Sequence, residues 1–275
     1  MRSLTGLFLV FFALAASAAA LDDDFLAARE AYRAGQATRV AAYATRFKGH
    51  ILEPYLAYWQ LNPRLEQASA GEVRAFLSTY RDTPLAERMR IDWLKLLGKN
   101  QQWELFEEEL PRVANDDLEL TCYALQARMR LHPADTLKEA RPLWFVGRDQ
   151  PESCTPLFSA LAAGGLLSTE DVWTRVRLTL EAGQVGVARR AAGYLPAGQA
   201  PEAGTLESVF SNPAGYLEQK NLSHRTRAGR ETAMFAVHRL ARTSPQQAAR
   251  HWSRLEESTA GRCHIERMRL TASLS

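Results

Sequence analysis

Ala31-Tyr32-Arg33-Ala34-Gly35-Gln36 and Leu180-Glu181-Ala182-Gly183-Gln184 carry the same small-Gly-Gln element at two distant points of the chain. In both places the glycine ends one helical pattern and a second begins at once. Glycine stops helices because, lacking a Cβ, it adopts the left-handed conformation of the C-terminal cap without strain. A turn that closes one helix and opens the next is the grammar of stacked helical hairpins, each burying its apolar face against its neighbours alone. The repeat is degenerate and does not amount to a tetratricopeptide consensus.

Outward from these turns the chain reads as helix after helix. Ala, Leu, Arg, Glu and Gln dominate, and strand-like Val/Ile/Thr alternation is scarce. The patterning predicts helices over 24–34, 38–47, 51–61, 71–80, 84–97, 101–110, 117–131, 134–146, 155–163, 169–182, 185–194, 206–210, 214–220, 226–242 and 245–256. Connections are short, which favours antiparallel neighbours. The expected fold class is all-α, an α-solenoid or superhelical array of short antiparallel helices. A compact bundle accommodates so many short helices poorly.

The first residues read as an export signal. Arg2 precedes an apolar run over 4–16, small residues follow at Ala16-Ser17-Ala18-Ala19-Ala20, and the chain turns acidic at Asp22-Asp23-Asp24. That is the charged, apolar and small-residue order of a cleaved signal peptide. The run is shorter than the roughly 20 residues a spanning helix needs, although an uncleaved anchor is the competing interpretation. Cleavage after Ala18 or Ala20 leaves a soluble, exported protein, expected in the periplasm and without a stable membrane span.

Three cysteines are present, Cys122, Cys154 and Cys263. An oxidising compartment permits a disulfide, and Cys122 with Cys154 is the natural pair because both lie in the well-patterned part. Two buried free thiols are the alternative. No Cys or His lies at ligand spacing from either, so no metal site is expected. The net charge of +3 over 275 residues is too balanced for nucleic-acid binding, which wants a concentrated basic stripe. No cofactor is indicated.

Leu143-Trp144-x-x-Gly147-x-x-Gln150-Pro151-x-x-Cys154-x-x-Leu157-Phe158, with Cys122-Tyr123 upstream, resembles the N-terminal superhelical domain of periplasmic soluble lytic murein transglycosylases. Pro54-Tyr55-Leu56-x-Tyr58 is similar to that family's early helix. Val172-Trp173-x-Arg175-Val176-Arg177-Leu178, followed by Ala182-Gly183, is similar to a later helix–turn element. The resemblance runs from about residue 21 to about residue 255, and its Gln-Pro-x-x-Cys segment is the specific part.

The resemblance implies a ring of helices that positions a lysozyme-like domain on the cell wall. In the family that second domain cleaves the MurNAc–GlcNAc bond with one catalytic Glu and yields a 1,6-anhydro sugar, unlike the two-carboxylate glycosidases. Here the expected organisation is a signal peptide over 1–20, the superhelical domain, incomplete, over 21–257, and an unpatterned tail over 258–275, with no lysozyme-like domain. A truncated or frameshifted gene near Glu257 is the corresponding expectation, with Cys263 as an accidental thiol. Glu207-Ser208-Val209-Phe210 imitates the family's Glu-Ser-x-Phe catalytic start. The family's Gly-Leu-Met-Gln segment does not follow it, so Glu207 is expected to be a surface residue. Glu152-Ser153 and Glu257-Ser258 fail for the same lack of context. No catalytic residue is therefore expected.

The remaining candidates favour packing over chemistry. Met234 and His238, four apart on one helix, suit packing better than ligation. His224-Arg225-Thr226-Arg227-Ala228-Gly229-Arg230 could meet an anionic wall polymer but suits a solvated helix start. The aromatic stripe Tyr55–Trp59 could stack on sugars but suits a core. Two functional classes compete. One is the scaffold part of a lytic transglycosylase, inactive alone, with peptidoglycan and other periplasmic wall enzymes as expected partners. The other is a stand-alone periplasmic helical-repeat scaffold that binds proteins or peptidoglycan.

Overall fold

The computed structural model describes residues 21–113, 117–219 and 226–259, and every regular element among them is helical. The expected signal segment over 1–20, His224 and Arg225 of the basic cluster, and residues 260–275 with Cys263 lie outside the described residues, while residues 258 and 259 of the expected tail continue α15. The chain forms two compact units, Met1–Ala127 and Arg128–Ser275.

In the first unit α1 spans 21–33, followed by α2 (Ala37–Ala44), α3 (Glu53–Leu61), α4 (Ala70–Thr79), α5 (Pro84–Lys99), α6 (Trp103–Glu109) and α7 (Leu118–Met129), whose final residues pass the unit boundary. Helices pack on near neighbours in sequence: α2 on α3, α4 on α5, α5 on α6, with α3 also meeting α5. Val40, Phe47, Leu56, Val73, Met89, Leu94, Leu97 and Phe106 form the buried core. In the second unit α8 (Pro133–Ala140), α9 (Thr155–Ala163), α10 (Thr169–Glu181), α11 (Val185–Ala192), α12 (Thr205–Ser211), α13 (Pro213–Leu217), α14 (Arg227–Ala241) and α15 (Pro245–Thr259) follow the same habit. There α10 packs on α11 and α14 on α15, while α12 and α13 both pack on α14. The expected all-α solenoid architecture is what these neighbour-to-neighbour contacts build.

The turn that betrayed the fold has a common hydrogen-bond pattern. Gln36 N–H donates to Ala31 O at 2.8 Å and Gly35 N–H to Tyr32 O at 3.0 Å. Gln184 N–H donates to Thr179 O at 2.8 Å and Gly183 N–H to Leu180 O at 3.0 Å. These paired bonds are the Schellman motif, which satisfies the last carbonyls of a helix. Each glutamine then begins the next helix, with nearly equal backbone angles, φ −87° at Gln36 and −90° at Gln184. A third copy escaped the sequence pattern. Gln102 N–H donates to Leu97 O at 2.9 Å and Gln101 N–H to Gly98 O at 3.1 Å between α5 and α6. There the left-handed position is held by Gln101, at φ 56°, where the other two turns have glycine.

Several boundaries differ from the sequence expectation, and two of them are instructive. The helix predicted over 134–146 ends at Ala140 and continues as a 3-10 turn, Arg141–Trp144. Pro142 supplies no N–H and its ring crowds the preceding turn, so the α-helix cannot pass it. The helix predicted over 38–47 likewise ends at Ala44 and tightens into a 3-10 turn over Thr45–Phe47. Elsewhere the caps match their residues. Ser69 with Glu72 and Ser168 with Asp171 form reciprocal capping boxes at the starts of α4 and α10.

The first unit also buries a carboxylate. Glu109 is 1% exposed and receives Arg90 Nη1 at 2.6 Å, Arg112 Nη1 at 2.8 Å and Arg74 Nε at 3.0 Å. Burial alone would raise its pKa, but the hydrogen bonds from Arg112 and Arg74 and the charges of Arg112 and Arg90 outweigh it and hold the carboxyl below its ordinary value. A depressed folded-state pKa contributes stability that is fully present above the unfolded value and is lost as pH falls through the folded value.

Two outcomes are expected from urea unfolding. Gln101→Gly raises stability by about 0.5–1 kcal/mol and Gly183→Ala lowers it by about 1–2 kcal/mol, because only glycine takes the left-handed position freely. Glu109→Gln costs about 2–4 kcal/mol at neutral pH, somewhat less than a fully enclosed pair because Arg74 and Arg112 are half exposed. The same variant loses part of the wild-type decline in stability below about pH 4.

Candidate functional site

The second unit contains a cleft of about 840 Å³, lined by Trp144, residues 149–152, Thr155, Pro156, Phe158, Ser159, Arg175, Val187, Arg190, Ala191 and Tyr194. Its wall is the stretch from the 3-10 turn at Arg141–Trp144 through a second 3-10 turn, Glu152–Cys154, into α9. Its floor comes from α10 and α11.

Arg175 organises this region. Its side chain leaves α10 among Val172, Trp173, Val176 and Leu180, all buried, and the residue itself is only 5% exposed. Nη1 donates to Trp144 O at 2.7 Å and to Gln150 Oε1 at 3.2 Å, and Nη2 donates to Gln150 Oε1 at 3.3 Å. The guanidinium carbon lies 4.7 Å from the Trp144 ring centroid and 4.9 Å from that of Phe158. The two rings meet edge to face at 5.2 Å. A guanidinium is weakly hydrated and planar, so it tolerates burial between aromatic faces better than an ammonium would. Burial pulls the Arg175 pKa down from its ordinary value, and nearby Asp149 opposes that.

Gln150 reads both sides of the loop. Its Nε2 donates to Leu143 O at 2.6 Å while its Oε1 accepts from Arg175. Trp144 Nε1 donates to Asp171 O at 2.9 Å, so the indole is satisfied at both its face and its edge. Gly147 is required by close approach: a Cβ there would lie 2.7 Å from Leu178 O. Pro151, at φ −53°, starts the second 3-10 turn, and Leu157 and Phe158 enter the core from α9.

Each residue quoted for the resemblance over 143–158 therefore has a packing role, and Arg175 of the second quoted segment joins them. Cys122, on α7, and Cys154, at the end of its 3-10 turn, are each 0% exposed and disulfide-bonded.

Among the described residues the other sequence candidates do not line the cleft, apart from Glu152, which is exposed on its wall. Glu207 lies on α12 with its side chain 42% exposed, 3.5 Å from Arg189. Met234 and His238 are half-buried on α14. Among the described residues no cluster of three His, Cys, Asp or Glu could hold a metal, and no helix is long and apolar enough to cross a membrane. Of the basic cluster, Arg227 pairs with Glu170 and with Glu231 rather than standing free. In the aromatic stripe Tyr58 and Trp59 are core, Trp59 stacking on Tyr32 at 5.6 Å, and Tyr55 alone is exposed.

Sequence reasoning did not single out Asp149, Arg190 or Tyr194. Arg190 Nη2 donates to both oxygens of Asp149 at 2.7 Å across 41 residues of sequence, a separation that leaves no local signal. Arg175 did leave one, a lone arginine inside an otherwise apolar helix face.

No family model matches the chain. The soluble lytic murein transglycosylase of Escherichia coli K12 is 27% identical over 205 residues, covering 73% of this chain and 31% of that protein. The chain is homologous to soluble lytic murein transglycosylases. The Salmonella typhimurium transglycosylase is 25% identical over 205 residues, with the same shares of 73% and 31%. The chain thus spans about a third of the curated transglycosylases it matches. Among solved structures, an inactive mutant of the lytic transglycosylase Slt from Pseudomonas aeruginosa matches with TM-score 0.60 and 29% identity over 88% of this chain and 39% of that one. The 70-kDa soluble lytic transglycosylase from Escherichia coli matches with TM-score 0.63 over 87% and 39%. At 24% identity the latter likeness concerns the fold, and that fold is the all-α one described above.

Gly147→Ala tests the close approach directly. The new methyl must displace the α10 carbonyl, so thermal unfolding should show a loss of about 1–3 kcal/mol, whereas Gly186→Ala, with nothing nearer than an arginine tip at 4.0 Å, should not destabilise.

Proposed function

We propose that this chain is the helical scaffold of a murein-acting protein of the lytic transglycosylase type, exported to the periplasm by a cleaved signal peptide over 1–20. On this reading it associates with peptidoglycan, and with other wall enzymes, without cleaving glycan itself. The observation that carries the reading is the use made of the resembling residues. Trp144, Gly147, Gln150 and Arg175 are spent on holding a loop to α10, which is scaffold work.

The decoy glutamate supports the same division. A general acid for glycoside cleavage needs an enclosed carboxyl within reach of the leaving oxygen. Glu207 instead stands half-exposed beside Arg189. Glu152 is exposed on the cleft wall, and the Glu257 side chain lies outside the described residues. The reading includes a Cys122–Cys154 pairing, suited to an oxidising compartment, that closes a loop worth about 3–4 kcal/mol on the chain-entropy model.

Purified wall sacculi test the reading. The chain should sediment with them and release no 1,6-anhydromuropeptides; release by this chain alone would refute the scaffold assignment. Absence of any sedimentation, together with capture of a defined periplasmic protein, would favour the stand-alone scaffold instead. Non-reducing peptide mapping should recover one cross-linked species containing Cys122 and Cys154, and its reduction should lower the unfolding midpoint.

A further inference from the structure

The cleft of the second unit has a polar arrangement that loop-holding does not use. Val187 and Ala191 give its floor a small apolar patch, and the buried Arg175 lies beside them. The hydrogen-bond acceptors of Arg175 are all neutral: the Trp144 and Leu143 carbonyls and the Gln150 amide oxygen. Arg190 lines the same cleft, so two guanidiniums face it. Tyr194 and Ser159 add hydroxyls 3.4 Å apart to the lining.

A carboxylate already occupies the more accessible guanidinium. Asp149 places both oxygens 2.7 Å from Arg190 Nη2, and each side chain of this pair is 60% exposed. Arginine and carboxylate match in planar, charge-assisted geometry, while an exposed pair of this kind contributes little to stability. Asp149 is therefore a replaceable internal occupant.

We propose that this cleft binds the carboxylate of a small ligand in place of Asp149, on Arg190 with Arg175 behind it, and seats a small aliphatic group on Val187 and Ala191. A peptide C-terminus and a sugar acid share this chemistry. The site lies wholly within one unit and stands independently of the wall-scaffold reading.

Backbone-amide NMR of the full chain, followed at residues 149–159 and 187–194, tests it with three probes: N-acetyl-Ala-Ala, its C-terminal amide, and glucuronate. At least one of the two acids should give saturable shifts there, and the amide should bind about tenfold more weakly than its acid. Arg190→Gln should weaken the acid about tenfold, and Asp149→Asn should tighten it about threefold by vacating the guanidinium. Both positions are exposed, so unchanged melting curves show that the variants remain folded. Saturation by N-acetyl-Ala-Ala supports a peptide terminus, and saturation by glucuronate a sugar acid. Equal binding of acid and amide, weakening by Asp149→Asn, or no shift at these residues with either acid would overturn the proposal.

Discussion

A guanidinium taken out of water must be given hydrogen-bond acceptors and polarisable surface, or the fold that buries it will not form. Arg175 receives both from the stretch that runs from Trp144 into α9. The Trp144 carbonyl, the Gln150 amide and the Trp144 and Phe158 rings surround it, and none of these could be in place unless the chain between α8 and α9 took its observed path. The dependence runs outward from there. Gln150 ties that loop to Leu143, Gly147 lets it touch α10, and Pro151 turns it into α9. The cleft is the space left along this wall.

The first unit solves the inverse problem. Its buried charge is an anion, Glu109, and three arginines from different parts of the unit converge on it. The same unit holds a second, neutralised network in which Tyr58 donates to Asp92 at 2.6 Å, Arg88 donates to the Tyr58 hydroxyl at 3.0 Å, and Asn62 donates to Asp92 at 3.1 Å. Burial and the hydrogen bond to Asp92 push the Tyr58 phenol well above its ordinary value, so it remains a donor throughout the physiological range. Short helices bury little apolar area each, and such polar ties fix which faces meet.

Much of this architecture is legible in the residues. Gly35 and Gly183 announce their turns because a left-handed cap selects glycine. The third turn hides because Gln101 takes the same conformation with a side chain that carries no such signal. Pro142 should have shortened the helix predicted over 134–146, since proline's missing donor is a local property. The cleft is another matter. Trp144, Gln150 and Arg175 stand out as quoted positions, yet only the fold shows that they touch. Asp149 and Arg190 meet across 41 residues, and no periodicity encodes a pairing of that kind.

Residues 143–158 and Arg175 tie the chain between α8 and α9 to α10, in a chain that is similar to lytic transglycosylases in sequence and in fold. Arg175 and Gln150 act as one unit in that tie. A double-mutant cycle with Arg175→Met and Gln150→Leu, read by urea unfolding, measures their coupling. It should come to about 1 kcal/mol or more, because each substitution strands the partner of the other. Free energies that add within about 0.3–0.5 kcal/mol would contradict it.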